Sequence, residues 1–195
     1  MSLPLSKKEE KFTYGDYRSW PDEERWELIE GVPYDMTPAP SVSHQRILVE
    51  LTKQFAVYLT GRPCEVFMAP FDVRLPVGDE KDEEIETVVQ PDLVVVCDPT
   101  KLDEKGCRGT PDLVIEITSP ATARRDQREK FLLYEKAGVK EYWIVNPTDK
   151  IVTVFILNEN VKYGRPEIYS DEDSIRVGLF SGDLVIDLEP AFPSK

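Results

Sequence analysis

Between residues 90 and 145 the chain alternates apolar runs with a helical segment, and this stretch constrains the fold more than any other. It contains the runs QPDLVVV and PDLVIEITSP, followed by RRDQREKFLLYEKAGVKEYWIV. Continuous apolar runs of this length are typical of strands that are buried on both faces. The pattern therefore predicts two interior strands, a helix that packs against them, and a further strand, EYWIV.

A glutamate lies in the middle of the second apolar run. Because side chains alternate between the two faces of a strand, Glu116 shares a face with Val114. The opposite face carries Leu113, Ile115 and Ile117. A carboxylate with apolar neighbours is costly to bury unless it is paired or binds a cation. We therefore expect Glu116 to be a metal ligand, and a structural ion pair with a lysine or an arginine is the plainer alternative.

The aspartate best placed to share a cation with Glu116 is Asp92. Asp112 belongs to the same strand as Glu116, and its four-residue separation corresponds to about 13 Å. Asp92 begins the preceding apolar strand, and neighbouring strands lie only about 4.8 Å apart. Asp92 and Glu116 are therefore predicted to converge on one ion. In the plainer alternative, each aspartate only accepts backbone hydrogen bonds at the start of its strand.

The helix that follows, predicted over Ala123–Ala137 and ended by Gly138, carries a lysine on its apolar side. At about 100° per residue, Tyr134 falls about 40° from Lys130 around the helix axis. A lysine within the apolar stripe is predicted to point toward an anion or a pair of carboxylates. Alternatively, its apolar stem covers the surface and its ammonium group reaches water.

The first third of the chain predicts a hairpin followed by a long helix. In Trp26–Met36 a Glu-Gly pair separates two short apolar runs, as in a β-hairpin. Ser41 or Ser43 can then cap a helix over Ser43–Leu59. His44 shares the apolar stripe of this helix and is expected to face inward. A hydrogen-bonded structural role for His44 is the alternative to a catalytic one.

Further strands are predicted on both sides of the central region. They cover Glu65–Leu75, Val88–Cys97, Leu113–Thr118, Glu141–Val145, Val152–Leu157, Glu167–Tyr169, Ser174–Val177 and Leu184–Leu188. The result is an α+β fold, a mixed sheet flanked by helices. Its core order is helix, strand, strand, strand, helix, strand, with an extra N-terminal hairpin and extra C-terminal strands. Because no linker divides the 195 residues, one domain is expected over residues 1–195.

The formal net charge of −13 restricts the function classes. Nonspecific affinity for DNA comes mostly from lysine and arginine, so an acidic chain needs its basic residues clustered at a cleft. Basic residues do concentrate in one third of the chain: Lys101, Lys105, Arg108, Arg124, Arg125, Arg128 and Lys130. Much of the excess acid lies in Asp79–Glu86, which predicts a solvated hairpin loop.

Three cysteines and one histidine limit other kinds of chemistry. The odd cysteine count without a CxxC pair predicts neither a disulfide framework nor a zinc site. The chain lacks the ~18 consecutive apolar residues of a membrane helix, and its polar start has no signal-peptide character. We therefore expect a cytoplasmic protein that does not contact a membrane.

These residues resemble a known superfamily. The order Asp92, Glu116 and then a lysine, between two helices, is similar to the PD-(D/E)XK restriction-endonuclease-like fold. Within that fold, several strings resemble the Uma-two family of restriction endonuclease-like proteins: WELIEG, SHQRI, QPDLVVV, PDLVIEITSP, RRDQREK, YEKAGVKEYWIV and GLFSGDLVIDL. The resemblance covers about residues 14–192, nearly the whole chain.

The resemblance implies an endonuclease that depends on Mg²⁺, with Mn²⁺ as a substitute. By position, Asp92 and Glu116 would hold the metal together with the backbone carbonyl of Ile117. This would be hydrolysis by water that the metal activates, without a covalent intermediate.

The resemblance also has one departure. Thr118 stands where the usual lysine follows the glutamate by two residues, and Lys130 on the helix is the matching candidate. Glu27, in the string WELIEG, and His44 would line the same cleft. Gln90 is a further candidate because it lies one strand step from Asp92.

The leading hypothesis is therefore a hydrolase of DNA that works as a homodimer, since cleavage of a duplex needs two sites. The rival hypothesis is a catalytically inactive nuclease fold that binds nucleic acid or protein, which Thr118 and the acidic charge favour. A third hypothesis, a structural subunit of a complex, predicts a large exposed apolar patch and no clustered basic rim.

Overall fold

The computed structural model describes residues 11–21, 25–36, 39–119 and 125–192, without the side chains of residues 125–127. Its α-helices in these ranges are Tyr14–Tyr17 (α1), Val42–Leu59 (α2) and Phe131–Ala137 (α3), and a π-helical segment, Arg125–Lys130, leads into α3. Short 3₁₀ turns occur at Asp82–Glu84, Pro99–Lys101, Gly178–Phe180 and Glu189–Ala191. No helix within the described ranges has both the length and the apolar character needed to cross a membrane.

The strands are short and lie along the whole described chain. They are Trp26–Ile29 (β1), Val32–Asp35 (β2), Glu65–Met68 (β3), Val73–Arg74 (β4), Val88–Val89 (β5), Leu93–Val96 (β6), Leu102–Asp103 (β7), Gly106–Arg108 (β8), Leu113–Ile117 (β9), Glu141–Asn146 (β10), Ile151–Ile156 (β11), Glu167–Ser170 (β12), Ser174–Arg176 (β13) and Val185–Asp187 (β14).

The strands form two larger sheets and a C-terminal pair. The core sheet has the order β12-β11-β10-β9-β6-β3, the N-terminal sheet has the order β2-β1-β5-β4-β8-β7, and β13 pairs with β14. In the core sheet β9 and β10 run parallel, and the other neighbours are antiparallel. Along the chain the core elements follow as α2, β3, β6, β9, α3 and β10. The predicted α+β class and the predicted core order are therefore confirmed.

The core sheet packs α2 against one face and α3 against the other. Leu93 and Leu113 belong to the apolar cluster that includes Phe55 of α2. Val114 belongs instead to the cluster that includes Tyr134 of α3. Side chains along β9 therefore alternate as predicted, so Glu116 shares a face with Val114 on the α3 side.

Two segments that were predicted as continuous strands are each divided between the two sheets. The predicted strand Glu65–Leu75 becomes β3 in the core sheet and β4 in the N-terminal sheet, with Pro70 between them. The predicted strand Val88–Cys97 becomes β5 and β6, with Pro91 between them. Proline lacks the N–H that a central strand donates, so each break falls at a proline. The second break places Asp92 at the junction of the two sheets.

The N-terminal hairpin and the long helix agree with their predictions. The turn between β1 and β2 is made by Glu30 and Gly31, with φ values of 52° and 83°. Both residues are in the left-handed region, as a two-residue hairpin turn requires. Helix α2 is capped by Ser41, whose hydroxyl accepts the N–H of His44 at 3.2 Å. His44 is buried, as predicted for the start of this helix.

The expectation of no disulfide is wrong. Cys64 precedes β3 and Cys97 follows β6, and the two are joined by a disulfide bond. The antiparallel register pairs Glu65 with Val96, so one further step brings the two cysteines opposite each other. Their separation of 33 residues concealed this proximity in the sequence. Cys107 is free and buried.

Candidate active site

Lys130 lies at the centre of a buried cluster of ion pairs. Only 3% of its surface is exposed, and its Nζ lies 2.8 Å from Oε1 of Glu116 and 2.8 Å from Oε1 of Glu27. Glu116 belongs to the core sheet and Glu27 to the N-terminal sheet, so the lysine joins the two sheets. Lys130 is the last residue of the π-helical segment, a type of helix that is frequent at functional sites. Its inward direction is as predicted.

Tyr134, one helical turn after Lys130, is a second donor to Glu116. Its hydroxyl donates to Oε1 of Glu116 at 2.7 Å, and its side chain is fully buried. Burial, together with the charges of Glu116 and Glu27, raises the pKa of Tyr134 well above its ordinary value. The phenol therefore keeps its proton and remains a donor. Sequence reasoning placed Tyr134 on the same side of the helix but assigned it no role, although its four-residue spacing from Lys130 was the available signal.

Glu27 completes the cluster from strand β1. It is 1% exposed, and besides Lys130 it accepts the backbone N–H of Gln90 at 2.9 Å. Glu27 and Glu116, from different sheets, thus both contact the ammonium group of Lys130.

Asp92 stands opposite Glu116 at the end of strand β6. The antiparallel register pairs Leu93 with Ile115, and continuing it by one residue brings Asp92 opposite Glu116. Residues paired in this way have Cα atoms about 4.5–5.5 Å apart. The Oδ2 atom of Asp92 accepts the N–H of Ile117 at 2.7 Å, which fixes the carboxylate against β9. The predicted third ligand, the carbonyl of Ile117, belongs to this same residue.

Asp112 occupies the equivalent position at the opposite end of the strand pair. Its Oδ2 accepts the N–H of Cys97 at 2.8 Å, just as Asp92 accepts that of Ile117. Its Oδ1 lies 2.7 Å from the exposed ammonium group of Lys140. The repeated Pro-Asp-Leu-Val motif therefore fastens both ends of one strand pair. Both aspartates thus accept backbone hydrogen bonds, as in the plainer alternative. Only Asp92 lies opposite Glu116, and the sharing of a cation by these two residues stays a prediction.

His44 contacts Asp92 from helix α2. Its Nε2 lies 3.0 Å from Oδ1 of Asp92, and the side chain is mostly buried. Its Nδ1 is buried without a hydrogen-bond partner among the residues that the structure describes. His44 thus orients Asp92 from the side of the sheet opposite to Glu116. This contact is the hydrogen-bonded arrangement that sequence reasoning kept as the alternative to catalysis.

Thr118, at the position of the family's usual lysine, is part of the sheet. Its backbone N–H donates to the carbonyl of Val145 at 2.8 Å, and its hydroxyl donates to the same oxygen at 3.2 Å. The side chain is buried. Thr118 therefore adds no charge to the cluster, and Lys130 is the lysine that reaches Glu116.

Gln90 links the cluster to a second polar network. Its backbone N–H binds Glu27, while its side-chain Nε2 donates to Asp72 at 2.9 Å and to the hydroxyl of Tyr17 at 3.0 Å. Its Oε1 accepts a bond of 2.9 Å from Arg25. The sequence named Gln90 as a candidate but gave no signal for the three residues around it, because they come from distant parts of the chain.

The acidic segment of residues 79–86 is the hairpin loop that its composition predicted, since it connects the antiparallel strands β4 and β5 and four of its eight residues are exposed. It is not fully solvated, however. Asp82 forms ion pairs with Arg74, Lys105 and Arg108, and Ile85 is fully buried. The loop is thus bound to the N-terminal sheet through charge pairs and an apolar anchor. Lys105 and Arg108 belong to the predicted basic cluster, and both form ion pairs with Asp82 in this loop.

The other members of the predicted basic cluster are placed differently. Lys101 donates to the carbonyl of Thr110 at 2.8 Å, Lys130 is buried and Arg128 is exposed. Arg124 and the side chain of Arg125 lie outside the described residues. The described part of the cluster therefore does not form the basic cleft rim that the sequence predicted.

The oxygen atoms near Lys130 suit a hard divalent cation. Asp92 and Glu116 face each other across two strands. Each Asp92 oxygen has one partner among the described residues, where a carboxylate oxygen can accept two hydrogen bonds. Magnesium is usually held by one or two carboxylates, its other ligands being water and phosphate. The described residues contain no group of three or more His, Cys, Asp or Glu side chains placed to hold a metal. The donor set therefore fits Mg²⁺.

Three comparisons relate the chain to known proteins. The model of the family Uma2, described as "Putative restriction endonuclease", matches residues 14–189. The uncharacterized protein slr1290 of Synechocystis sp. is 27% identical over 153 residues, covering 77% of this chain and 76% of that protein. A crystal structure from Anabaena variabilis, titled "a putative nuclease belonging to DUF820", matches with a TM-score of 0.72 and 20% identity, covering 93% of this chain and 97% of that chain. At that identity the structural match supports the fold alone.

The matched range includes every predicted site residue: Glu27, His44, Asp92, Glu116 and Lys130. The family that the sequence motifs resembled is thereby confirmed, and its description supports a nuclease. The roles of the individual residues stay predictions. This chain belongs to the Uma2 family, the Uma-two family of restriction endonuclease-like proteins.

Proposed function

We propose that this protein is an endonuclease that hydrolyses phosphodiester bonds of DNA and depends on Mg²⁺. The observation that carries the proposal is the buried Lys130, bonded to Glu116 and Glu27 directly beside the point where Asp92 faces Glu116. Family membership supports the nuclease class independently of this geometry. The DNA substrate, the dependence on Mg²⁺ or Mn²⁺, and a homodimer that would cut both strands belong to the proposal.

Asp92, Glu116 and the carbonyl of Ile117 would hold the cation. When bound, Mg²⁺ activates water for attack and neutralises charge that develops on the scissile phosphate. The carboxylates of Asp92 and Glu116 support this assignment, because Mg²⁺ is usually held by one or two carboxylates. His44 would keep the Asp92 carboxylate turned toward β9 through its bond to Oδ1.

Lys130 would act on the phosphate. An ammonium group aimed at developing negative charge in a water-poor site stabilises the transition state more than the same group in bulk water. Glu27 would hold the ammonium group in place from the other sheet, and Tyr134 would fix the rotamer of Glu116.

The chain's acidic charge sets the expected affinity. Because few exposed basic residues are available in the described part of the site, binding should be weak at physiological salt and stronger at low salt. A catalytically inactive binding module is the second candidate. The observation that favours it is that Lys130 already has two carboxylate partners, which is also the arrangement of a purely structural ion pair.

The test is cleavage of supercoiled plasmid DNA with Mg²⁺ or Mn²⁺, with and without EDTA. The wild type should nick or linearise the plasmid only with the metal, and Lys130→Met should lose about a hundredfold or more of the rate. Lys136→Met is the matched control, since Lys136 is exposed on the same helix and pairs only at the surface with Glu30. No cleavage by the wild type with either metal would reject the enzyme and favour the inactive module. Equal rates in both variants would reject the catalytic role of Lys130.

A further inference from the structure

A polar cleft lies directly beside the candidate active site. Its volume is about 380 Å³, within the range of small-ligand sites. It is lined by Pro70, Phe71, Asp72, Gln90 and residues 103–106 of the β7–β8 turn. Gln90 is nine-tenths buried, and its backbone contacts Glu27 of the ion-pair cluster. Gln90 therefore joins the cleft to the proposed catalytic groups, because it lines the cleft and contacts Glu27.

The wall of the cleft is also tied to Asp92. The N–H of Ala69 donates to the carbonyl of Asp92 at 3.0 Å. On the other side, the N–H of Cys107 donates to the carbonyl of Asp72 at 2.9 Å. Gly106 permits this approach, because a Cβ atom there would lie 2.3 Å from the same carbonyl oxygen. The position of Asp72 relative to Asp92 is thus set by backbone contacts.

Asp72 has an acceptor oxygen that the protein does not use. Its Oδ1 accepts bonds from the hydroxyl of Tyr17 at 3.1 Å and from Gln90 at 2.9 Å. Its Oδ2 accepts no hydrogen bond from any residue in the described ranges. Both Oδ1 partners hold the carboxylate in one orientation. A ligand in the cleft therefore meets a fixed acceptor.

The charge of the cleft decides what kind of group can bind there. Three carboxylates line it, those of Asp72, Asp103 and Glu104, and one ammonium group, that of Lys105, which pairs with Asp82. The lining is therefore negative overall, which disfavours a phosphate inside the cleft. A neutral ligand that presents N–H donors is favoured instead. Phe71 adds an aromatic surface, one face of which is covered by Phe67 at a centroid distance of 4.4 Å. Aromatic side chains offer a flat apolar surface on which a planar ring can stack.

We propose that this cleft binds a nucleobase next to the scissile phosphate, and that Asp72 selects bases with an exocyclic amino group over thymine. This inference rests on the proposed nuclease function for its substrate class. Aspartate and glutamate accept hydrogen bonds from the amino group of cytosine, and adenine and guanine also carry amino groups. Thymine has no amino group, and its one ring N–H donor, at N3, lies between two carbonyl oxygens that a carboxylate repels.

The experiment measures binding without hydrolysis. Fluorescent single-stranded oligonucleotides of only cytosine or only thymine are titrated with the wild-type protein in EDTA at low salt. The pH is mildly alkaline, because burial raises the pKa of Asp72 and the carboxyl group must be ionised. The wild type should bind the cytosine strand about tenfold more tightly, as one specific base contact allows.

Asp72→Asn is the diagnostic variant. The asparagine oxygen can still accept from Tyr17 and Gln90, while its amide nitrogen replaces Oδ2 and donates. The preference should therefore shift toward thymine, whereas Glu159→Gln, at an exposed turn, should leave the wild-type ratio unchanged.

The outcomes separate this inference from the proposed function. An unchanged ratio in Asp72→Asn, a wild-type ratio near one, or no binding of either strand would each overturn the inference. The wild-type ratio decides the question even where the variant fails to fold. Base preference without plasmid cleavage would uphold the cleft and reject the enzyme. Metal-dependent cleavage without base preference would reject the base-binding cleft and support the enzyme.

Discussion

Replacing Lys130 by methionine should destabilise the protein far more than an ordinary lysine substitution. Methionine keeps most of the apolar stem but removes the ammonium group that lies 2.8 Å from both Glu116 and Glu27. Both carboxylates are more than nine-tenths buried, so water cannot replace the lost partner. Breaking a buried ion pair from one side costs about 3–5 kcal/mol. We expect a loss in this range in the free energy of unfolding.

Urea unfolding followed by circular dichroism measures the effect. Lys136→Met is the control, because the pair of Lys136 with Glu30 is exposed and should contribute at most about 1 kcal/mol. The double variant Lys130→Met with Glu116→Gln should recover part of the loss, since it removes one of the two carboxylates left without the ammonium group. A loss below about 1 kcal/mol for Lys130→Met, equal to that of the control, would refute the buried cluster.

Two further predictions concern other parts of the fold. Alkylation of the unfolded, unreduced protein should modify Cys107 alone and, after reduction, also Cys64 and Cys97, as mass spectrometry can count; three modified thiols without reduction would contradict the disulfide. Burial raises the pKa of Glu141 above its ordinary value, so the folded state holds a proton that the unfolded state releases. This contribution to stability should be complete below about pH 4.5 and decline as the pH rises through the folded-state pKa. Urea unfolding of the wild type and Glu141→Gln across that range should show the decline only in the wild type.

The regular parts of the fold could be predicted because local pattern and burial agree in them. The strand with Glu116 and the helix with Lys130 have clear periodicities, and both faces were assigned correctly. The division of the strands at Pro70 and Pro91 was not foreseen, although proline was the visible signal. The prediction gave more weight to the apolar residues on both sides of Pro91 than to the proline itself.

The site was predictable to the extent that its residues lie on regular elements. Alternation and helical angles suffice to orient Glu116 and Lys130. The direction of Glu27 depends on how the two sheets meet, which short-range pattern does not determine. Tyr17 and Asp72 lie near Gln90 only through long-range packing, so no spacing in the sequence predicts the cleft.

The charge partners of the acidic and basic segments could not be predicted, for a related reason. Composition shows how many charges a segment has but not which partners they meet. The acidic run and the basic run face each other in the structure through Asp82, Lys105 and Arg108. The expected cytoplasmic location stays a prediction. The bond between Cys64 and Cys97 argues against it, because disulfides are rare in cytosolic proteins.

The most direct test of the central claim is a Mn²⁺ titration followed by electron paramagnetic resonance. Asp92→Asn and Asp112→Asn are matched, since both aspartates follow a proline and accept a backbone N–H of the neighbouring strand. If Asp92 and Glu116 hold the cation, the wild type and Asp112→Asn bind Mn²⁺ and Asp92→Asn does not. Equal binding by all three proteins, or no binding by the wild type, would contradict the account.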